Sequence, residues 1–271
     1  MPISDPQQEG LIVSNLQPPE TLHLARMTYE DVAAVLATQF DRVIIPCGAI
    51  EQHGPHLPLS MDADHADALA VEIATLLGRT LIAPTIQVGC SKHHMAFPGT
   101  ISLQEHTYAA LCHDYCVSLA THGFKRIYLF SAHVGNFNAL HAMLPSLREA
   151  VGPDVQVLAY TDHQAWLREW RLAVEAAGGD PDSVGGHADI AETSLMIHLR
   201  PDSVRHDQLV AGHVGAMTTE QLNRMWKEGV ASISRNGVLG DARGSSREIG
   251  ETCLHATARL LASAFSAESS T

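Results

Sequence analysis

The chain has 271 residues and carries 17 Lys and Arg against 30 Asp and Glu, a formal net charge of −13. That balance argues against a phosphate-tracking surface, and so against nucleic acid or an anionic membrane as the main partner. No run reaches the ~20 apolar residues that span a bilayer, and the opening MPISDPQQEG lacks the basic-then-apolar order of a secretory leader. A cytoplasmic protein is expected, folded as a single α/β domain over residues 1–271 with loosely ordered ends.

In chain order, Thr28 with Asp31 three residues on predicts a capped helix start, followed by Val32, Val35 and Leu36 at helical spacing. Arg42 to Gly48 is a β-branched apolar run and predicts a buried parallel strand. Asp62 to Leu77 returns to helical spacing, with Gly78 where a C-terminal cap belongs. Thr80 to Val88 predicts a second strand, and Ser102 with Glu105 a capping box opening a helix that stops near Gly123. Arg126 to Phe130 predicts a third strand, Phe137 to Glu149 a helix with Pro145 as a kink, Val155 to Tyr160 a fourth strand, and Asp162 to Ala177 a helix carrying Trp166 and Trp170. Alternation of this kind predicts βαβ units, with ligand sites outside the carboxyl ends of the strands.

The five cysteines (Cys47, Cys90, Cys112, Cys116, Cys253) form no CxxC pair and read as small buried hydrophobes, not as a disulfide framework or a thiolate zinc site. The 17 histidines are the unusual feature, because neutral imidazole ligates metals at cytosolic pH. His23, His106, His113, His198 and His206 stand away from any acidic or histidine cluster and read as ordinary core or surface residues.

Ile44 to His65 is different: it holds three carboxylates, three histidines and three prolines, with no lysine or arginine among them. Glu51 and His53 are two apart and share one side of an extended segment, Pro55 and Pro58 stiffen the return to Asp62, and His133 at the end of another strand can approach from beside them. A carboxylate and imidazole set without thiolate suits zinc, manganese or iron better than calcium or copper(I). Asp64 and His65 lie at a helix start, where an acid is favoured with no ligand role, and are left out. Asn136 either satisfies backbone beside the metals or caps the next helix, and capping is favoured. Trp166 and Trp170, four apart, read as packing residues of a core or subunit interface.

GAIEQHGPHLPLSMDAD (48–64), GCSKHHMAFPGTISL (89–103), SAHVGN (131–136), HADIAETS (187–194) and GVLGDARGSSREIG (237–250) together resemble the creatininase (creatinine amidohydrolase) family, in order and across nearly the whole chain. The resemblance implies a Rossmann-like three-layer α/β fold with a mostly parallel sheet, assembly into homohexamers, and one or two divalent ions per subunit that hydrolyse non-peptide C–N bonds. It implies Glu51, His53, Asp62 and His133 as metal ligands, with Asp62 bridging two ions. His187 matches a histidine that handles substrate and protons, Ser91 a substrate-contacting serine, and Glu192 is the candidate for the carboxylate ligand missing at Gly135, or a catalytic acid or base. From the residues alone, His187 also reads as a helix-start histidine and Glu192 as a first-turn acid.

Departures from the family pattern fall at His93, Asp189 and Ile190, and Ser183 and Val184 stand where the creatinine-contacting residues belong, which argues against creatinine as substrate. A tryptophan flap near Trp166 and Trp170 is a further family feature. Three functions stay open: an amidohydrolase acting on a small cyclic or formyl-type amide, a family metallopeptidase acting on a short peptide, and a metal-binding member without catalysis.

Overall fold

Four short strands pair in parallel, in the order β2-β1-β3-β4: β1 (Arg42–Cys47), β2 (Thr80–Ile82), β3 (Arg126–Ser131) and β4 (Gln156–Ala159). They belong to a computed structural model that describes residues 19–268; the opening stretch read for a leader, and the last residues of the chain, lie outside the described residues. α1 (Tyr29–Leu36) precedes β1, α2 (Met61–Leu77) joins β1 to β2, α3 (Glu105–Thr121) joins β2 to β3, and α4 (Phe137–Val151) joins β3 to β4. Beyond β4 come α5 (His163–Ala176), α6 (Ile190–Leu199), α7 (Thr219–Glu228) and α8 (Arg247–Glu268), with an antiparallel pair formed by β5 (Val184–His187) and β6 (Leu239–Gly240).

Successive strand residues point to opposite faces, so each strand feeds two cores. Ile44, Ile82, Tyr128, Phe130 and Leu158 pack with α2, α5, α6 and α8, while Val43, Ile45, Leu81, Ile127, Leu129 and Val157 pack with α3 and α4. The result is the expected three-layer α/β arrangement with a mostly parallel sheet. All five cysteines are free and buried, as expected. Trp170 Nε1 donates to Thr257 Oγ1 at 2.9 Å and ties α5 to α8, and both tryptophans are buried.

Two expectations need correction. The second strand ends at Ile82; beyond it the chain meets β1 only at separate points, Ala83 N–H to the Ile44 carbonyl and Ile86 N–H to the Pro46 carbonyl, with an irregular register between them. The Ser102 and Glu105 capping box does not form: the N-cap of α3 is Gln104, without a side-chain cap, and the Ser102 hydroxyl instead accepts the Ser91 N–H at 2.9 Å. Capping is realised at α1, where Thr28 and Asp31 exchange hydrogen bonds.

One glycine decides how the site is assembled. A Cβ on Gly48 would lie 2.5 Å from Ala63 Cα and 2.6 Å from Ala63 N, so only glycine lets the start of α2 lie against the end of β1. That contact brings Asp62 under the loop that carries Glu51 and His53.

Candidate metal centre

Glu51, His53, Asp62, His133, His187 and Glu192 are all buried, and they come from the ends of β1, β3 and β5 and the first turns of α2 and α6. His53 Nε2 lies 3.2 Å from Asp62 Oδ1 and 3.7 Å from Glu192 Oε2. His133 Nδ1 lies 3.3 Å from Glu51 Oε1 and 3.4 Å from Asp62 Oδ2. The two oxygens of Asp62 therefore face two different neighbourhoods. His187 Nδ1 stands 3.7 Å from Glu51 Oε1 and 4.0 Å from Glu192 Oε2.

Backbone carbonyls orient the three imidazoles. His53 Nδ1 is 3.1 Å from the Glu51 carbonyl, His133 Nε2 is 3.2 Å from the Cys90 carbonyl, and His187 Nε2 is 2.8 Å from the Gln52 carbonyl. A carbonyl only accepts, so His53 Nδ1 and His133 Nε2 donate, and the other nitrogen of each neutral ring turns its lone pair toward the carboxylates; His187 Nε2 is also 2.8 Å from the Gln52 side-chain nitrogen, so its proton is set by which of the two contacts it makes. Metal-bound histidines are held in this way.

Both carboxylate oxygens of Glu51, Asp62 Oδ2 and His53 Nε2 are buried without a hydrogen-bond partner. Buried acids and lone pairs facing one another at these distances are unfavourable unless a positive charge sits between them. Protons are one such charge. Burial alone lowers the His53 pKa, but Asp62, Glu192 and Glu51 outweigh it and raise it to about 10; for His133, Glu51 and Asp62 outweigh burial and raise it to about 9. Divalent cations are the other, and the sets Glu51, His53, His187 and His53, Asp62, Glu192 each offer three donor atoms within 4.8 Å of one another. The residues present fit a metal.

Several supporting residues were not singled out from the sequence. Gln52 Oε1 accepts the Gly54 N–H at 2.9 Å, which turns its NH2 group to donate to His94 Nδ1 at 2.9 Å and leaves the His94 Nε2–H facing Glu51 Oε1 at 3.3 Å. Asp189 caps α6: its Oδ1 accepts the N–H groups of Ala191 and Glu192, and its Oδ2 those of Gly185 and Gly186. The departure at 189 thus organises the turn between His187 and Glu192, while Ile190 is buried in the core. His187 is the last residue of β5, not a helix start. Ser91 is buried with its hydroxyl 3.5 Å from His133 Nε2, and it is not among the residues lining the cavity described below.

Asn136 overturns the capping expectation. It occupies the N-cap position of α4 but makes no side-chain cap; it accepts the Cys90 N–H at 2.8 Å and donates to the Gly48 carbonyl and Ser131 Oγ, both at 3.0 Å.

His65 sits one turn beyond Asp62, between Trp166 and Trp170, with neither ring nitrogen hydrogen-bonded. Burial pulls its pKa to about 4, with Asp62 opposing. A folded-state pKa below the unfolded value of 6.5 means that this stability is present above pH 6.5 and is lost as pH falls toward 4. His65→Leu is expected to stay within about 1 kcal/mol of the parent at pH 8 and to lose less stability at pH 5, read by urea titration at both pH values. An unchanged pH dependence would count against this role.

The cluster opens into a cavity of about 490 Å3 whose polar end is Glu51, Asp62, His133, His187 and Glu192, and whose walls include Phe137, Trp166, Leu167, Met217, Leu222 and Trp226. That volume is typical of a site for a small organic ligand. α7 supplies Leu222, Met225 and Trp226; its capping box, Thr218 with Gln221, is a start signal visible in the sequence but not used there.

The family model described as creatinine amidohydrolase matches residues 25–265. The chain belongs to the creatininase family. Among its creatininase-family relatives, the mycofactocin precursor peptide peptidase of Mycolicibacterium smegmatis is 34% identical over 214 residues, covering 77% of this chain and 78% of that protein. The creatinine amidohydrolase of Pseudomonas putida is 28% identical over 264 residues, covering 92% and 98%. A solved structure of creatininase with manganese superposes with a TM-score of 0.76 at 25% identity, covering 92% of this chain and 99% of that one. Among the described residues no helix is long and apolar enough to cross a membrane.

Proposed function

We propose that this creatininase-family chain is a metal-dependent amidohydrolase that cleaves a non-peptide C–N bond in a small cyclic or formyl-type amide. The observation that carries the reading is the set of three imidazoles that each set one nitrogen against a backbone carbonyl and turn the other toward buried carboxylates, with Glu51 and Asp62 Oδ2 unpartnered. Glu51, Asp62 and His133 would hold one cation and His53, Asp62 and Glu192 a second, with zinc first and manganese or iron as the other fits to this donor set. A divalent cation there supplies Lewis acidity, lowering the pKa of water from 15.7 to about 7 and polarising the amide carbonyl.

The chain's own groups do the rest. His187 is kept neutral by burial, with its pKa well below 6.5, and its Nε2 lies 2.8 Å from both the Gln52 carbonyl and the Gln52 side-chain nitrogen, which leaves Nδ1 as the nitrogen facing the acids. With Nε2 donating to that carbonyl, Nδ1 is the atom that takes a proton from the attacking water and delivers it to the departing nitrogen. Glu192, pushed well above the usual carboxylate range by burial, accepts the Ala188 N–H and keeps its place beside His53. The apolar walls exclude bulk water and seat the substrate.

A second reading, hydrolysis of a short peptide, is favoured by the cavity's size and apolar walls and by the name of the 34% identical relative. Incubating the zinc-loaded, manganese-loaded and iron-loaded protein with lactams, imides, ureas, formamides and short peptides, read by mass spectrometry, separates the two. Hydrolysis of a cyclic or formyl amide that stops on chelation is expected; turnover of peptides alone selects the second reading. A metal-loaded protein inert to every C–N substrate would leave a metal-binding member without catalysis. The same proposal includes a cytoplasmic homohexamer; five buried free thiols fit a reducing compartment, and light scattering of the eluted protein reads the assembly.

A further inference from the structure

His93 lies in the short turn Lys92–His94, 8% exposed, and no hydrogen bond or ion pair engages its ring nitrogens among the described residues. Its ring stacks on His133, with centroids 5.5 Å apart and planes 11° apart, and Trp226 lies against it at 4.7 Å. The ring borders the same cavity as Glu51 and His133. Glu51, His93 and His133 each offer a donor atom, all within 4.8 Å of one another, and Glu51 Oε2 is buried without a hydrogen-bond donor.

The backbone opposite makes room for this arrangement. A Cβ on Gly135 would lie 2.2 Å from His133 Nε2, 2.6 Å from the Cys90 carbonyl and 2.7 Å from His93 Cε1. No side chain can stand at 135 while His93 and His133 keep these positions.

We propose that His93 is a metal ligand, joining Glu51, Asp62 and His133 at the first cation position. The inference rests on the metal centre of the preceding subsection. It has a consequence for metal choice: two imidazoles and two carboxylates favour zinc, iron or cobalt over manganese, which prefers oxygen donors.

Cobalt(II) loaded into the intact protein gives hyperfine-shifted N–H resonances from bound imidazoles. The expected result is that the parent shows His93 among them, that His93→Gln loses one such resonance, and that its zinc affinity falls by at least the roughly 10–100-fold that outlying changes around a metal already cost. His93→Asp is expected to recover affinity and to shift preference toward manganese. A folded His93→Gln that keeps the resonance count and binds zinc within about twofold of the parent, with only KM raised, would make His93 a cavity wall and overturn the inference. If His93→Gln does not fold, specific nitrogen labelling of the parent's histidines decides: no cobalt-shifted signal from His93 overturns it. A chain that takes up no cobalt overturns the metal centre as well, so the two failures are distinguishable.

Discussion

Asp62→Ala is expected to abolish metal binding and to cut hydrolysis by at least about 10^3-fold, more than loss of one transition-state hydrogen-bond donor costs. Its Oδ1 faces His53 and its Oδ2 faces His133, so one substitution removes a donor from both proposed cation positions. The sheet is expected to survive. Asp62 is a first-turn acid of α2, worth about 0.3–1 kcal/mol to the helix dipole, and its burial offsets that gain. Circular dichroism close to the parent's, with metal content near zero by mass spectrometry, is the expected pair of readings. Full metal occupancy in this variant would remove the assignment of Asp62 and the two-position geometry built on it.

The strands could be read from sequence because burial on both faces leaves apolar runs such as Arg42 to Gly48 with few alternatives. Strand-end logic likewise anticipated that Glu51, His53, Asp62 and His133 meet, since β1, α2 and β3 deliver them to one edge of the sheet. β5 escaped notice because Val-Gly-Gly-His has no apolar alternation and pairs only with the distant residues Leu239 and Gly240. Ser102 shows how a local motif fails: its hydroxyl accepts the Ser91 N–H across the loop and donates to the Leu103 carbonyl, so it does not cap α3. Gln52, His93 and His94 lie inside quoted motifs, but their roles depend on which ring nitrogen faces which acid, and that depends on the Gly54 N–H, the Gly135 backbone and other groups the local sequence does not reveal.

Asn136→Ala is expected to cost about 3–5 kcal/mol and to weaken metal binding roughly 10–100-fold. The amide is fully buried and joins three segments: Gly48 leads to Glu51, Cys90 leads to Ser91 and His93, and Ser131 leads to His133. Truncation leaves the Cys90 N–H and the Gly48 carbonyl without this partner, at about 1–3 kcal/mol for each buried group that stays unsatisfied. For a chain of this size that corresponds to a fall in Tm on the order of 10 °C. A residue that only capped α4 behaves differently: its loss costs about 0.5–2 kcal/mol and leaves the metal centre alone. Thermal melts of the chelated protein read the first effect, and zinc competition against a chromophoric chelator reads the second. A small loss of stability with unchanged zinc affinity would return Asn136 to the capping role and leave the convergence of the three segments to the sheet alone.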